Sequence, residues 1–446
     1  MAETKKKIPL VEIISKEMIK PSLPTPSHLR SYQISSLDQF ADLSYIRVVF
    51  FYNRPLAGED AVSGDTNDVI QVLKSSLSET LTHYYPLAGK FVEKDALIDC
   101  DDSGAEFTTA VIVGGGDGVF LGAIENPDID FLDKLVSKED DDTLKSEEDV
   151  ILAVRITRFP RGEISVGICL AHKISDAGTL CSFMKLWSAA ARILISGESS
   201  FKELTVLGPV FDAPRLWPSV PGCPRRPIPL KDEKIIMKKL VFNSSSLTRL
   251  KSELSEGVVG EGVPTRVTSL MALIWHAVMN SSSEPPTKHM LGFPANIRKK
   301  MSPPLPDNTF GNIVKFVTVA NSVGDVTLGG VLGLIKEVIG KVDEEYAKKK
   351  GVPIHEPFLK MFSSLSKMNM TIITSWCWFP FYEVDLGRGR PVWMTCLRRA
   401  VLSDILLIDG PDGGIDALIG LNVEIMDKFE KNPNIISFCD HSITYG

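Results

Sequence analysis

Seven prolines fall between Gly197 and Lys231, at positions 209, 214, 218, 221, 224, 227 and 229. A stretch this dense in proline holds neither a long helix nor a central strand, because each ring fixes φ and removes a backbone donor. The segment 197–231 therefore reads as a crossover linker. It separates an N-terminal domain over 1–196 from a C-terminal domain over 232–446, each long enough for its own core. Length asks for such a division, since single hydrophobic cores stop growing near roughly 250–300 residues and this chain has 446.

Both halves carry helical and strand-like patterns. In the first, Val69, Leu73, Leu77 and Leu81 recur every four residues and predict an amphipathic helix that ends before Tyr84-Tyr85-Pro86. In the second, Val267, Leu270, Met271, Ile274 and Val278 keep the same period after Pro264-Thr265. Tyr45 to Tyr52 and Asn312 to Val319 read as strands. The mixture implies layered α/β or α+β domains.

Charge and composition exclude several classes. Net charge −7 gives no dominant basic face for nucleic acid, and Lys5-Lys6-Lys7 reads as a solvated tail. No window approaches the ~20 apolar residues of a membrane span, and no apolar signal core opens the chain, so a cytoplasmic protein is expected. Seven scattered cysteines without a C-x-x-C pair argue for reduced thiols and against a zinc site, and no metal is expected. The acidic residues Glu139 to Asp142 and Glu147 to Asp149 lack the glycine and spacing of a calcium loop. Gly114-Gly115-Gly116 and Gly118 complete no nucleotide-binding fingerprint, and G-x-S-x-G is absent.

One segment carries chemistry. Ile164, Val166, Ile168 and Leu170 alternate strictly, so period two puts His172 on the face of that apolar row, at a strand end. Downstream, Leu180, Phe183, Met184, Trp187, Ala191 and Leu194 follow helical spacing, with the helix starting near Ser175 to Gly178. Imidazole at such a strand-to-helix turn suits proton abstraction. Position alone favours a core histidine satisfied by a backbone partner. Asp176 likewise has two readings, a carboxylate orienting His172 or a plain helix N-cap.

His172-Lys173-Ile174-Ser175-Asp176 resembles the H-x-x-x-D motif of the plant BAHD acyltransferases, which use CoA thioesters. The resemblance extends over nearly the whole chain, through Ile19-Lys20-Pro21, Leu37-Asp38-Gln39, Tyr85-Pro86-Leu87-Ala88-Gly89-Lys90, Asn296-Ile297-Arg298 and Phe310-Gly311-Asn312. Thr374-Ser375-Trp376-Cys377 and Phe381-Tyr382-Glu383-Val384-Asp385 are similar to members that acylate alkaloids and related specialised metabolites. Two positions depart from the pattern. The family's D-F-G-W-G is here Asp385-Leu386-Gly387-Arg388-Gly389, and Trp378 stands where an arginine often follows the S-W-C stretch.

The resemblance implies a two-domain α/β fold like that of chloramphenicol acetyltransferase, with a mixed sheet and helices in each domain and a channel between them. It implies an acyl-CoA co-substrate, no bound cofactor, a small-molecule acceptor and a chain acting as a monomer. It implies His172 as general base, Asp176 paired with Arg298 as a structural element, and Asp385 as structural. Thr374 and Trp376 are placed near the oxyanion, Thr268 near CoA, and Ile46, Val48 and Phe50 along the acceptor pocket. Ordinary strand packing accounts for Thr374, Trp376, Ile46, Val48 and Phe50 as well, and a helix-surface position accounts for Thr268. Thr309 and Ile313, in place of the tyrosine and cysteine flanking F-G-N in malonyl-transferring relatives, favour a neutral donor such as acetyl-CoA. Two alternatives keep the fold: a lyase or intramolecular cyclisation using the same histidine, and a non-catalytic partner protein.

Overall fold

The computed structural model describes residues 9–54, 66–138, 144, 146, 148–197, 202–222, 235–256, 263–282, 289–321, 326–348, 369–397 and 403–445. Lys5 to Lys7, the acidic residues Glu139 to Asp142 and Glu147, Cys223, and the linker residues 198–201 and 223–231 lie outside the described residues.

Two mixed sheets carry the architecture. The first orders its strands Leu10–Ile19, Ala105–Val113, Leu152–Arg158, Ile164–Ala171, Tyr45–Tyr52 and Trp393–Cys396. The second runs Val314–Asn321, His289–Asn296, Asn369–Ser375, Asp404–Asp409, Ile415–Asn422, Ile235–Phe242 and His441–Tyr445. The chain is thus a two-domain α/β protein, each half built on its own sheet.

The halves are not separate in space as they are in sequence. Trp393–Cys396, from the second half, adds an edge strand to the first sheet, pairing Trp393 with Phe51 and Cys396 with Val48. Its flanking residues Trp376, Phe381, Val384 and Leu386 are buried in the first half's core. A boundary placed on the proline run alone misses this exchange, because a four-residue strand leaves no composition shift. Among the described residues of the linker, the prolines leave room only for the short helix Ala213–Leu216 after Lys202–Leu207. Val210 bridges to Thr309, tying the crossover to the second half.

Helix Thr66–His83 buries Val69, Leu73, Leu77 and Leu81, each at most 2% exposed. It packs along Ala177–Ser196, where the Trp187 indole N–H donates to Leu73 O at 3.2 Å and Ser76 Oγ at 2.9 Å. These bonds fix the register of two helices whose apolar stripes alone would allow sliding.

The strand Ile164–Ala171 is buried on both faces. Its neighbours Leu152–Arg158 and Tyr45–Tyr52 complete the ladder on either side. Gly167 is required there: a Cβ would lie 2.0 Å from Leu135 O. Ile46, Val48 and Phe50 stand opposite Leu170, Ile168 and Val166, so both rows share the face that leads to His172.

Candidate active site

The strand ends at Ala171, and His172 opens the 3-10 turn His172–Ile174. That turn is clamped from both halves of the chain. The His172 N–H donates to Ser44 O at 2.8 Å, and the His172 carbonyl accepts from Asn312 Nδ2 at 2.9 Å. Asn312 is itself held by Asp38, whose Oδ1 accepts from the Asn312 N–H at 2.7 Å and from Nδ2 at 2.9 Å.

Asp38 closes a capping box with Ser35 at the helix Ser36–Phe40. Burial raises its carboxyl above the ordinary value, against the lowering effect of bonds from Ser35 and Asn312. The motifs L-D-Q and F-G-N, far apart in sequence, therefore meet behind His172.

The imidazole is half-buried, and its Nδ1 is sealed without a partner. Among the described residues no carboxylate reaches the ring. Asp176 is committed elsewhere: Oδ1 caps helix Ala177–Ser196 through the Thr179 N–H at 2.8 Å. Its two oxygens also take Arg298 Nη1 and Nη2 at 2.7 and 2.9 Å. Both functions fit one side chain because a carboxylate has about four acceptor directions.

Arg298 is 1% exposed and spends its remaining donors on Thr309 O and Gly311 O. Gly178 leaves room for it, since a Cβ there would sit 2.8 Å from Nη1. Asp176 Oδ2 also accepts from the Ile313 N–H at 3.1 Å. With the Asn312 and Ile313 amides so occupied, the ladder of the strand expected from Asn312 begins only at Val314.

Thr374 lies on the strand Asn369–Ser375, half-buried and opposite Leu406. Trp376 follows, 7% exposed, with its N–H on Leu407 O at 2.7 Å. Neither makes a hydrogen bond with His172. The Trp376 ring packs on Phe381 at 5.8 Å, and Phe381 packs on Phe50 at 6.0 Å. An aromatic run thus joins the second half to the strand face expected to line the acceptor pocket. Val48 and Phe50 are wholly buried and Ile46 nearly so, which makes them part of the core as well as of that face.

Thr268 is taken up by a reciprocal capping box with Thr265 at the start of helix Arg266–Ser281. It does not line the neighbouring cleft of about 350 Å³; Lys251, Thr265, Arg266 and Trp378 do. The Arg266 guanidinium stacks 4.6 Å over the Trp378 ring and bonds to Gly413 O at 2.9 Å. Trp378 is 70% exposed, with φ at 78° and its N–H held by Asp409 Oδ2 at 2.8 Å. Lys251 and Arg266 leave no mark in the sequence, because isolated basic residues carry no periodic signal.

Asp385 holds its own turn. Its Oδ1 accepts from the N–H groups of Gly387, Arg388 and Gly389 at 2.8, 3.0 and 2.9 Å. Among the described residues no group of three His, Cys, Asp or Glu is placed to hold a metal ion, and no helix is long and apolar enough to cross a membrane.

The chain is similar to known proteins over nearly its whole length. Residues 10–436 match the family model described as the Transferase family. Epi-neemfruitin B synthase L1AT of Melia azedarach is 32% identical, over 96% of this chain and 98% of that protein. Stemmadenine O-acetyltransferase of Catharanthus roseus is 30% identical, over 95% and 97%. The crystal structure of vinorine synthase superposes with a TM-score of 0.82 at 29% identity, covering 97% of this chain and 99% of that one.

Proposed function

Because this chain belongs to the Transferase family, that of the BAHD acyltransferases, we propose that it moves an acetyl group from acetyl-CoA to a hydroxyl of an apolar plant metabolite. The observation that carries the reading is the isolation of His172, a half-buried imidazole fixed through its backbone by Ser44 and Asn312 and touched by no carboxylate among the described residues. An imidazole so held acts as a base alone, without a dyad.

Nδ1 is sealed, so Nε2 takes the proton of the acceptor hydroxyl as the oxygen attacks the thioester carbonyl carbon. The tetrahedral oxyanion collapses, the C–S bond breaks, and the leaving thiolate recovers the proton from the imidazolium. No acyl-enzyme forms. Proton transfer of this kind contributes roughly 10²–10⁴ in rate. The Trp376 indole N–H, which donates to no described residue, is our choice of oxyanion donor, with Thr374 two residues before it on the strand Asn369–Ser375; such a donor supplies ~3 kcal/mol.

For the donor, the cleft at the N-terminus of helix Arg266–Ser281 supports a phosphorylated ligand. Two cations, Lys251 and Arg266, line it together with the Trp378 ring and the first turn of that helix. A helix N-terminus and cationic side chains favour phosphate, and an exposed indole favours a stacked base. For the acceptor, the name of the Catharanthus relative supports an O-acetylated alkaloid-like molecule. The apolar face of Ile46, Val48 and Phe50 supports one with little polarity.

The test is incubation of the purified chain with acetyl-CoA and a panel of plant alcohols, followed by mass analysis for acetylated products. His172→Ala should fold with an unchanged melting temperature and lose turnover. Full activity in that variant would end the reading.

A further inference from the structure

The turn Asp385–Gly389 carries Arg388 where relatives of this family have tryptophan. Its geometry does not depend on that side chain. Asp385 Oδ1 gathers three consecutive N–H groups, and Gly387 and Gly389 supply the left-handed φ values of 82° and 77°. Leu386, the other altered position, is fully buried in the core.

Arg388 itself is anomalous. It is only 8% exposed, yet its guanidinium donates to no described residue, and Nε is sealed without a partner. A buried arginine is ordinarily paired, because leaving the charge uncompensated is costly.

A second arginine lies beside it. Trp393 pairs with Phe51 in antiparallel register, and the Val392 N–H donates to Phe51 O at 2.8 Å. Residues just before Val392 therefore run beside those just after Phe51. Arg54 stands there, exposed, its side chain laid along the Gly162 turn, where a Cβ would meet Arg54 Cδ at 3.5 Å. Burial, reinforced by the Arg54 charge, lowers the Arg388 pKa from its ordinary value.

Among the described residues, neither Asp385 nor Glu163 pairs with either arginine. Asp385 spends Oδ1 on backbone N–H groups, and Glu163 has a sealed Oε2 with no partner.

We propose that Arg388 and Arg54 form a binding site for a small oxyanion, a phosphate or carboxylate group, at the edge of the first sheet and apart from His172. A guanidinium presents parallel N–H donors that match two oxygens of either group. An anion between the two arginines would supply the countercharge that no described residue gives Arg388. The site does not depend on acyl transfer, and its test does not use it.

The experiment is thermal unfolding of the full chain in saturating CoA, which occupies any phosphate site in the cleft near Lys251. Inorganic phosphate and acetate are compared separately with chloride at matched ionic strength. A saturable rise in melting temperature of about 2 °C is expected with at least one anion, and which one responds identifies the group recognised. Arg388→Leu should abolish the rise and melt above the native chain in chloride, having lost an unpaired buried charge. Arg54→Ala, an exposed change, should raise the anion concentration at half-effect by about tenfold, one hydrogen-bonded charge at ~1.4 kcal/mol. No rise with either anion, or an undiminished rise in Arg388→Leu, overturns the proposal. Should Arg388→Leu fail to fold, an unchanged response in Arg54→Ala overturns it alone.

Discussion

Asp176 presents both carboxylate oxygens to Arg298, at 2.7 and 2.9 Å, and neither to the imidazole four residues before it. The pair joins the first helix turn after His172 to the turn that follows the second-half strand His289–Asn296, through bonds that are almost wholly buried. Its role is therefore to fix how the halves meet around His172.

Arg298→Met tests that role. It leaves Asp176 buried and uncompensated, and should destabilise the chain by about 3–5 kcal/mol. Replacing both partners together, Asp176→Leu with Arg298→Met, should cost less than the single change, since no unpaired charge remains. Urea unfolding of the three chains checks this; a double variant less stable than Arg298→Met would contradict it.

Legibility followed how local each feature is. The helix Thr66–His83 was readable because Val69, Leu73, Leu77 and Leu81 repeat at one period, and the His172 strand because Ile164 to Leu170 alternate. The two readings of Asp176 could not be separated from sequence, since the N-cap to Thr179 is a local bond and the fork to Arg298 spans 122 positions. The clamp on the His172 carbonyl was invisible for the same reason: Asn312 lies 140 positions away. Trp393–Cys396 was missed because a strand of four residues at an edge leaves no periodicity to read.

Asn312→Ala removes the side-chain donor to the His172 carbonyl and one of the donors to Asp38. The buried carboxylate then loses part of its compensation, at a cost of about 1–3 kcal/mol. Loosening of the His172 turn should lower kcat more than it raises KM, because only the geometry of proton transfer is disturbed. Steady-state kinetics with acetyl-CoA at fixed acceptor, beside an unfolding curve, separates the two effects. A change confined to KM would mean that Asn312 serves substrate binding instead.

Asp38 gives stability a pH dependence of defined sign. Burial raises its carboxyl in the folded chain, above the unfolded value near 3.9. The folded state therefore keeps the proton to higher pH than the unfolded one. Its contribution is fully present below the unfolded pKa and is lost as pH rises through the folded one. Urea unfolding from about pH 4 to 7 should show the native chain losing stability relative to Asp38→Asn as pH climbs. A difference between the two that does not change with pH would contradict the assignment.

Asp385→Ala leaves three N–H groups of a surface turn without their shared acceptor. Water reaches this exposed site, so the cost should be modest, about 1–2 kcal/mol. Turnover per folded molecule should stay within about threefold of the native chain, since the carboxylate touches no group of the His172 turn. Activity normalised to the folded fraction from circular dichroism measures this. A loss of kcat beyond tenfold with the fold intact would assign Asp385 to the chemistry.

Lys251 offers the sharpest check on the donor site. It lines the cleft beside the first turn of helix Arg266–Ser281, and, unlike Arg266, which bonds to Asp409 and Gly413, it is engaged in no ion pair among the described residues. A charge used only to hold a phosphate acts equally in ground and transition states, so Lys251→Ala should raise KM for acetyl-CoA by about tenfold, near 1.4 kcal/mol, and leave kcat unchanged. The same variant should weaken CoA by a similar factor in calorimetry and leave KM for the acceptor unaltered. Salt should diminish the native advantage, because a half-exposed cation is screened over about 10 Å at 0.1 M ionic strength. An acceptor KM that rose in step would place Lys251 on the other side of the reaction.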